Sequence, residues 1–216
     1  FGNYASPYLE AFIHYSSRFE NEFGISAKYT SSEDNVRNSL LNSNFSNFKA
    51  SAYYKEEKRY FDWKVRLNSE RNSYNWYGLP NLNFNTATIN SIQEKQIYNY
   101  FQLIGDLTFE DSFVDFSKIL LSYFKDRYNS NEKLVRFDTK LNLPLDFLQL
   151  DISNIGIHTS FELLKGEFKN DYNGQNTINY SLITAEIHPE YNFIYNSFSI
   201  KYGAKFIVSL DVENKA

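Results

Sequence analysis

The sequence predicts an all-β chain: an antiparallel, up-and-down transmembrane β-barrel with about ten strands in these 216 residues. Three observations predict it. Apolar and polar residues alternate with period two along most of the chain, the pattern of strands with two unlike faces. Many of the alternating runs reach ten residues or more. That exceeds the ~5–6 residues of a usual soluble strand and suits a tilted strand crossing a bilayer. The connectors between the runs are short, long, short, long.

Composition narrows the class. The chain has 20 Phe, 18 Tyr and 2 Trp, yet its mean hydropathy is -0.52. Polar residues make up the balance, among them 26 Asn. So many aromatic and β-branched residues exclude wholesale disorder. The absence of Cys excludes disulfide frameworks, zinc fingers, iron–sulfur centres and thiol nucleophiles. A formal charge of -4 argues against a nucleic-acid partner. The longest apolar run, Ile119-Leu120-Leu121 with Tyr123 and Phe124, falls far short of the ~20 residues of a spanning helix.

The elements follow in order. Residues 8–17 form the first strand, apolar on both faces. In 22–31, Phe23, Ile25, Ala27 and Tyr29 alternate with Gly24, Ser26, Lys28 and Thr30. In 44–55, Phe48, Ala50, Ala52 and Tyr54 oppose Lys49, Ser51 and Lys55. In 60–70, Phe61, Trp63, Val65 and Leu67 oppose Asp62, Lys64, Arg66 and Asn68. Strand 96–109 places Phe101, Leu103, Leu107 and Phe109 on one parity, and 113–125 is apolar on both. In 133–143, Val135, Phe137 and Leu141 oppose Arg136, Asp138 and Lys140. Strand 147–164 changes parity near Ser153-Asn154, as a β-bulge would make it do, and 178–188 changes near Leu182-Ile183. The last strand, 196–212, alternates Phe198 to Leu210 against Lys201 and Lys205. Only the loop 31–43 leaves room for a short helix.

The long connectors expected are 32–43, 71–95, 126–132 and 165–177, and the short ones 18–21, 56–59, 110–112, 144–146 and 189–195. Pro144 and Pro189 fall in the short class, and Tyr54, Tyr60, Phe61, Phe109, Phe113, Tyr191 and Phe193 flank it. Short periplasmic turns, long outer loops and aromatic girdles are how outer-membrane barrels are built. A soluble β-sandwich, with the apolar face inward, is the alternative that alternation alone leaves open. With 18–21 as a periplasmic turn, both ends of the chain lie outside. Residues 1–216 then form a single barrel region, incomplete at both ends, of a parent with at least 12 strands.

The opening Phe1-Gly2-Asn3-Tyr4-Ala5-Ser6-Pro7-Tyr8-Leu9-Glu10-Ala11-Phe12 resembles the "GNY-x-x-PY-x-E-x-F" strand of Bacteroidota outer-membrane barrels similar to TonB-dependent receptors. The resemblance implies a barrel of a didermic bacterium. No plug domain is seen, and no functional residue carries over.

Constellations for chemistry are sparse. His14, His158 and His188 have no metal-ligand spacing. His158 and Ser160 share a strand face, but i, i+2 neighbours stand ~7 Å apart, too far for a nucleophile–base hydrogen bond. Glu56-Glu57 sits in a charged turn with Lys55, Lys58 and Arg59, and no phosphate-binding glycine loop occurs. No catalytic, cofactor-binding or metal residue is expected, and the chain is not read as an enzyme. The lumen carries the candidate residues: Asp62, Lys64 and Arg66 on one face, Arg136, Asp138 and Lys140 on another, Lys201 and Lys205 on a third. Signs alternating at i, i+2 predict mutual pairing along the wall. The sharper alternative is an anion-preferring pore using Lys64, Arg66, Lys201 and Lys205.

The function expected is porin-like or receptor-type transport of an undetermined solute in the bacterial outer membrane. The lipid bilayer is the partner, with other outer-membrane or periplasmic proteins as candidates, and no cofactor. Two other classes stay open: an accessory barrel of a secretion or assembly complex, and a soluble surface or carbohydrate-binding β-sandwich.

Overall fold

A computed structural model describes residues 6–17, 21–33, 36, 39, 41–78, 85–143, 155–169, 177–195 and 198–211. Eleven strands form one antiparallel sheet: β1 (Tyr8–Ser16), β2 (Asn21–Ser32), β3 (Phe45–Glu57), β4 (Phe61–Asn75), β5 (Lys95–Phe109), β6 (Val114–Asp126), β7 (Asn131–Leu143), β8 (Ile155–Phe168), β9 (Ile178–Tyr195), β10 (Phe198–Gly203) and β11 (Phe206–Asp211). Each strand pairs with the next, up and down, except that β10 and β11 both pair β9. The sheet is open, and no described strand covers the outer edge of β1 or of β10 and β11.

The one extra strand has a local cause. Gly203 faces Glu190 and Phe206 faces Ile187, three residues on along one strand and three back along the other, so the register runs through the break without a slip. Ala204 N–H donates to the Pro189 carbonyl at 3.2 Å. Pro189 has no N–H to return the bond, and the ladder is interrupted there. The expected strand 196–212 is thus one geometric run read as two.

Pro189 itself corrects an expectation. It lies inside β9, facing Ile157 of β8, and not in a turn. β9 therefore runs on to Tyr195, and Tyr191 packs edge-on against Tyr202 at 5.2 Å instead of flanking a turn. The alternation of loop lengths also fails in one described place. Residues 127–130 form a tight turn where a long loop was expected, because the Asp126 carboxylate accepts N–H groups of Tyr128 and Ser130 at 2.8 Å and Asn129 takes a positive φ of 66°. Pro144 and the bulge expected near Ser153-Asn154 lie outside the described residues. The helix among the described residues is Thr86–Ser91, capped by Asn85, and residues 34, 35, 37, 38 and 40 of the loop expected to allow one lie outside them.

Register sets the faces. Ile13, Ile25, Ala52, Leu67, Leu103, Leu121, Val135, Leu163, Ile183 and Leu210 stand side by side across the whole sheet. A second row runs parallel to it: Tyr15, Phe23, Tyr54, Val65, Gly105, Ile119, Phe137, Phe161, Ala185 and Val208. Strand side chains alternate between faces, so every intervening residue lies on the other side. The parity change expected at Leu182-Ile183 resolves as apolar side chains on both faces, and β6 carries them on both faces as expected.

The apolar face is the exposed one. Ile25, Leu67, Phe101, Ile119, Val135, Phe137 and Phe161 are all open, while Ser26, Asn68, Gln102, Lys118, Arg136 and Glu162 on the opposite face are half-buried. The surface totals 15629 Å². A compact protein of 25.5 kDa has about 10,400 Å². Ile104 is the single buried hydrophobic side chain among the described residues. Nothing in this sheet acts as a soluble core.

Candidate functional site

The polar face carries the charges. Asp62, Lys64, Arg66, Arg136, Asp138 and Lys140 occupy the parity opposite the apolar rows, and the same side holds Lys201 and Lys205. The three groups that the sequence keeps separate become one surface through register. Lys64 stands opposite Asp106, which stands opposite Lys118, then Asp138, Ser160 and Glu186. In the next row Arg66, Ile104, Leu120, Arg136 and Glu162 follow one another.

Most of these cations meet carboxylates. Arg136 Nε donates to Asp138 Oδ1 at 2.9 Å, with Glu162 at 3.8 Å. Lys201 Nζ lies 2.7 Å from Glu190, and Lys205 Nζ 2.8 Å from Glu186. Lys118 stands 4.0 Å from Asp106. Lys64 sits 4.8 Å from the centre of the Tyr53 ring. The register shifts between Val114 and Phe116, and the extra residue, Asp115, takes the Lys140 ammonium at 2.6 Å. From β4 to β11 this side presents seven cations (Lys64, Arg66, Lys118, Arg136, Lys140, Lys201, Lys205) against eleven carboxylates (Asp62, Glu70, Asp106, Asp115, Asp126, Glu132, Asp138, Glu162, Glu186, Glu190, Asp211). The formal sum is negative.

A cavity of about 510 Å³ opens at the β6–β10 end of this face, lined by Phe116, Lys118, Arg136, Asp138, His158, Ser160, Glu186, His188, Glu190 and Lys201 among others. Glycine builds it. Asn142, Gly156, Glu190 and Gly203 form one row, so the Glu190 carboxylate has no side chain on either flank. A Cβ at Gly156 would come 3.2 Å from Glu190 Cγ. The space admits His158, whose Nε2 meets Glu190 at 3.0 Å, together with Lys201. His158 and His188 face each other across β8 and β9 with ring centres 5.9 Å apart. The Ser160 hydroxyl makes no hydrogen bond among the described residues, and His158 turns to Glu190 instead.

Sequence reasoning missed Glu186, Glu190 and the facing of His158 on His188. The signal was present in the β8–β9 hairpin, but placing Pro189 in a turn broke the register that joins them. Among the described residues no group of three His, Cys, Asp or Glu side chains is placed to hold a metal ion.

Aromatic residues gather where short turns meet the apolar face. Trp63 packs on Tyr54 at 5.1 Å and donates its indole N–H to Glu56 at 3.2 Å. Phe61 and Phe109 face each other at 6.4 Å. The adjoining charged turn is self-paired: Lys55 with Glu57, and Lys58 with Glu56.

No protein-family profile, no curated protein and no solved structure matches this chain.

Proposed function

We propose that this sheet is the wall of an outer-membrane β-barrel, with the apolar face to lipid and the polar face to the lumen, serving porin-like or receptor-type transport of a solute. One observation carries the reading: two apolar rows run from β1 through β9 to β11 on the exposed side, while most of the charged side from β4 to β9 is half-buried. In water that arrangement is inverted. In a bilayer it is the expected one, since barrel strands alternate apolar-out and polar-in.

The Trp63–Glu56 bond supports the same reading. An indole at the edge of the apolar band, with its N–H turned toward a charged turn, is the placement of an interfacial Trp. The open edges add a requirement. Hydrocarbon offers no hydrogen bonds, so spanning sheets must close. The outer backbone groups of β1 and of β10–β11 therefore need partner strands within the bilayer.

The test is physical. The chain is expected to leave membranes only with detergent and to migrate differently on gels before and after boiling. Full solubility without detergent would return the reading to a soluble β-sandwich. Conductance in a planar bilayer separates a transport barrel from an accessory subunit of a secretion or assembly complex, which would give none.

A further inference from the structure

The polar face is interrupted by one apolar strip. Ile104 on β5 faces Leu120 on β6. Leu134 on β7 faces Leu164 on β8, which faces Leu182 on β9. Leu120 and Leu134 are diagonal neighbours, because Leu120 faces Arg136, two residues beyond Leu134. Ile104 is 7% exposed, and the four leucines are half-buried. Four strand spacings of about 4.8 Å give the strip a length of about 19 Å. Apolar surface turned toward water is unfavourable in proportion to its area, and this strip is the aliphatic part of the face.

The two flanks of the strip differ. On one, the Tyr180 ring lies across Gly166 and its hydroxyl donates to Glu132, so that side is closed. On the other, the strip runs past Arg136 into the cavity of about 510 Å³, within the about 300–1,000 Å³ of small-molecule sites. That cavity balances Lys118, Arg136 and Lys201 against Asp138, Glu186 and Glu190. Its Ser160 and His188 side chains have no hydrogen-bond partner among the described residues. A net anion or cation gains little from such a field, while a head group with both donors and acceptors can engage it.

We propose that the polar face binds an amphiphile, with its apolar chain along Ile104, Leu120, Leu134, Leu164 and Leu182 and its neutral or zwitterionic head in the cavity. The site rests on the membrane reading, which makes the polar face the solute-bearing side.

The chain has no cysteine, so single reporters are unambiguous. Ser122 faces Leu134 from β6. Ser122→Cys carrying a polarity-sensitive dye, in phosphatidylcholine nanodiscs, would be titrated with N-dodecyl-N,N-dimethylglycine well below its micelle concentration. A saturable blue shift is expected, absent with tail-less trimethylglycine. Its midpoint should weaken at least tenfold in Leu164→Ser and in Leu182→Ser. No saturable shift, or an unchanged midpoint in both variants, overturns the site. A dye at Leu163→Cys, on the lipid side, reports separately. If aqueous iodide quenches it as strongly as the Ser122 dye, the membrane reading falls and the site with it. A shielded Leu163 dye beside a silent Ser122 dye overturns the site alone.

Discussion

The Tyr180 ring lies across Gly166, its direct cross-strand neighbour, and fills the space where a side chain would stand. Its hydroxyl donates to Glu132, the residue facing Gly166 from the other side. The same device recurs six strands away: Tyr53 covers Gly24 and donates to Glu22 at 2.5 Å. An aromatic covering a strand glycine pins register, and the hydrogen bond to the carboxylate fixes the ring. Gly166→Val should cost about 2 kcal/mol by forcing the ring out. Tyr180→Phe should cost about 1.5 kcal/mol, the worth of a hydrogen bond to a charged acceptor. Urea unfolding in vesicles measures both, and equal stability of Gly166→Val and the parent chain would refute the packing.

Neighbouring residues on one strand should respond oppositely to charge. Leu67 belongs to an apolar row crossing the sheet, while Asn68 on the other face bonds Gln102 at 3.0 Å. Arginine at mid-bilayer on the lipid face costs about 2–4 kcal/mol. Leu67→Arg should therefore lose that much folding stability in vesicles, with Asn68→Arg within about 1 kcal/mol of the parent. Similar losses at both positions would remove the assignment of faces.

Much of this was legible in sequence because strand parity is a local property. Alternation at Phe61 to Leu67 states which side chains share a face without any knowledge of neighbours, and register joined those faces without reversing one. Three features were not local. A proline after His188 reads as a turn signal, and only pairing with Ile157 shows it inside β9. The 127–130 connector looked long because the Asp126 side-chain bonds that tighten it leave no periodicity. The charge balance at Glu190 depends on residues from β8, β9 and β10, which hairpin register alone brings together.

Pro189 gives a prediction about that register. Replacing it with Ala supplies an N–H opposite Ala204, whose own N–H already bonds residue 189. Pro189→Ala should join β10 and β11 into one ladder, with the new amide protected from hydrogen exchange and a gain of about 1 kcal/mol. Rapid exchange at residue 189 would mean that the break has another cause.

Trp63 offers a depth gauge. The chain has two tryptophans, Trp63 and Trp76, so Trp76→Phe leaves one reporter. Trp63 stands at the turn-side margin of the apolar face with its N–H on Glu56. Lipids brominated near the head group should quench it more than lipids brominated at the chain end, as for an interfacial indole. The reverse order would place the short turns in the bilayer interior.

Charge balance on the polar face predicts ion preference. Eleven carboxylates against seven cations give the face a negative sign, so the parent channel should favour potassium over chloride. Glu190 accepts from both Lys201 and His158, and its removal leaves Lys201 without a counter-charge. Glu190→Gln should raise the chloride to potassium permeability ratio two- to threefold in a planar bilayer, on the order of 0.5 kcal/mol in barrier difference. Lys201→Gln should move it the other way, since a carboxylate then goes unmatched. High salt should shrink both shifts, because screening over about 3 Å at 1 M leaves only direct contacts. Reversal potentials measure all three. Equal shifts of one sign in the two variants would show that neither charge faces the permeation path.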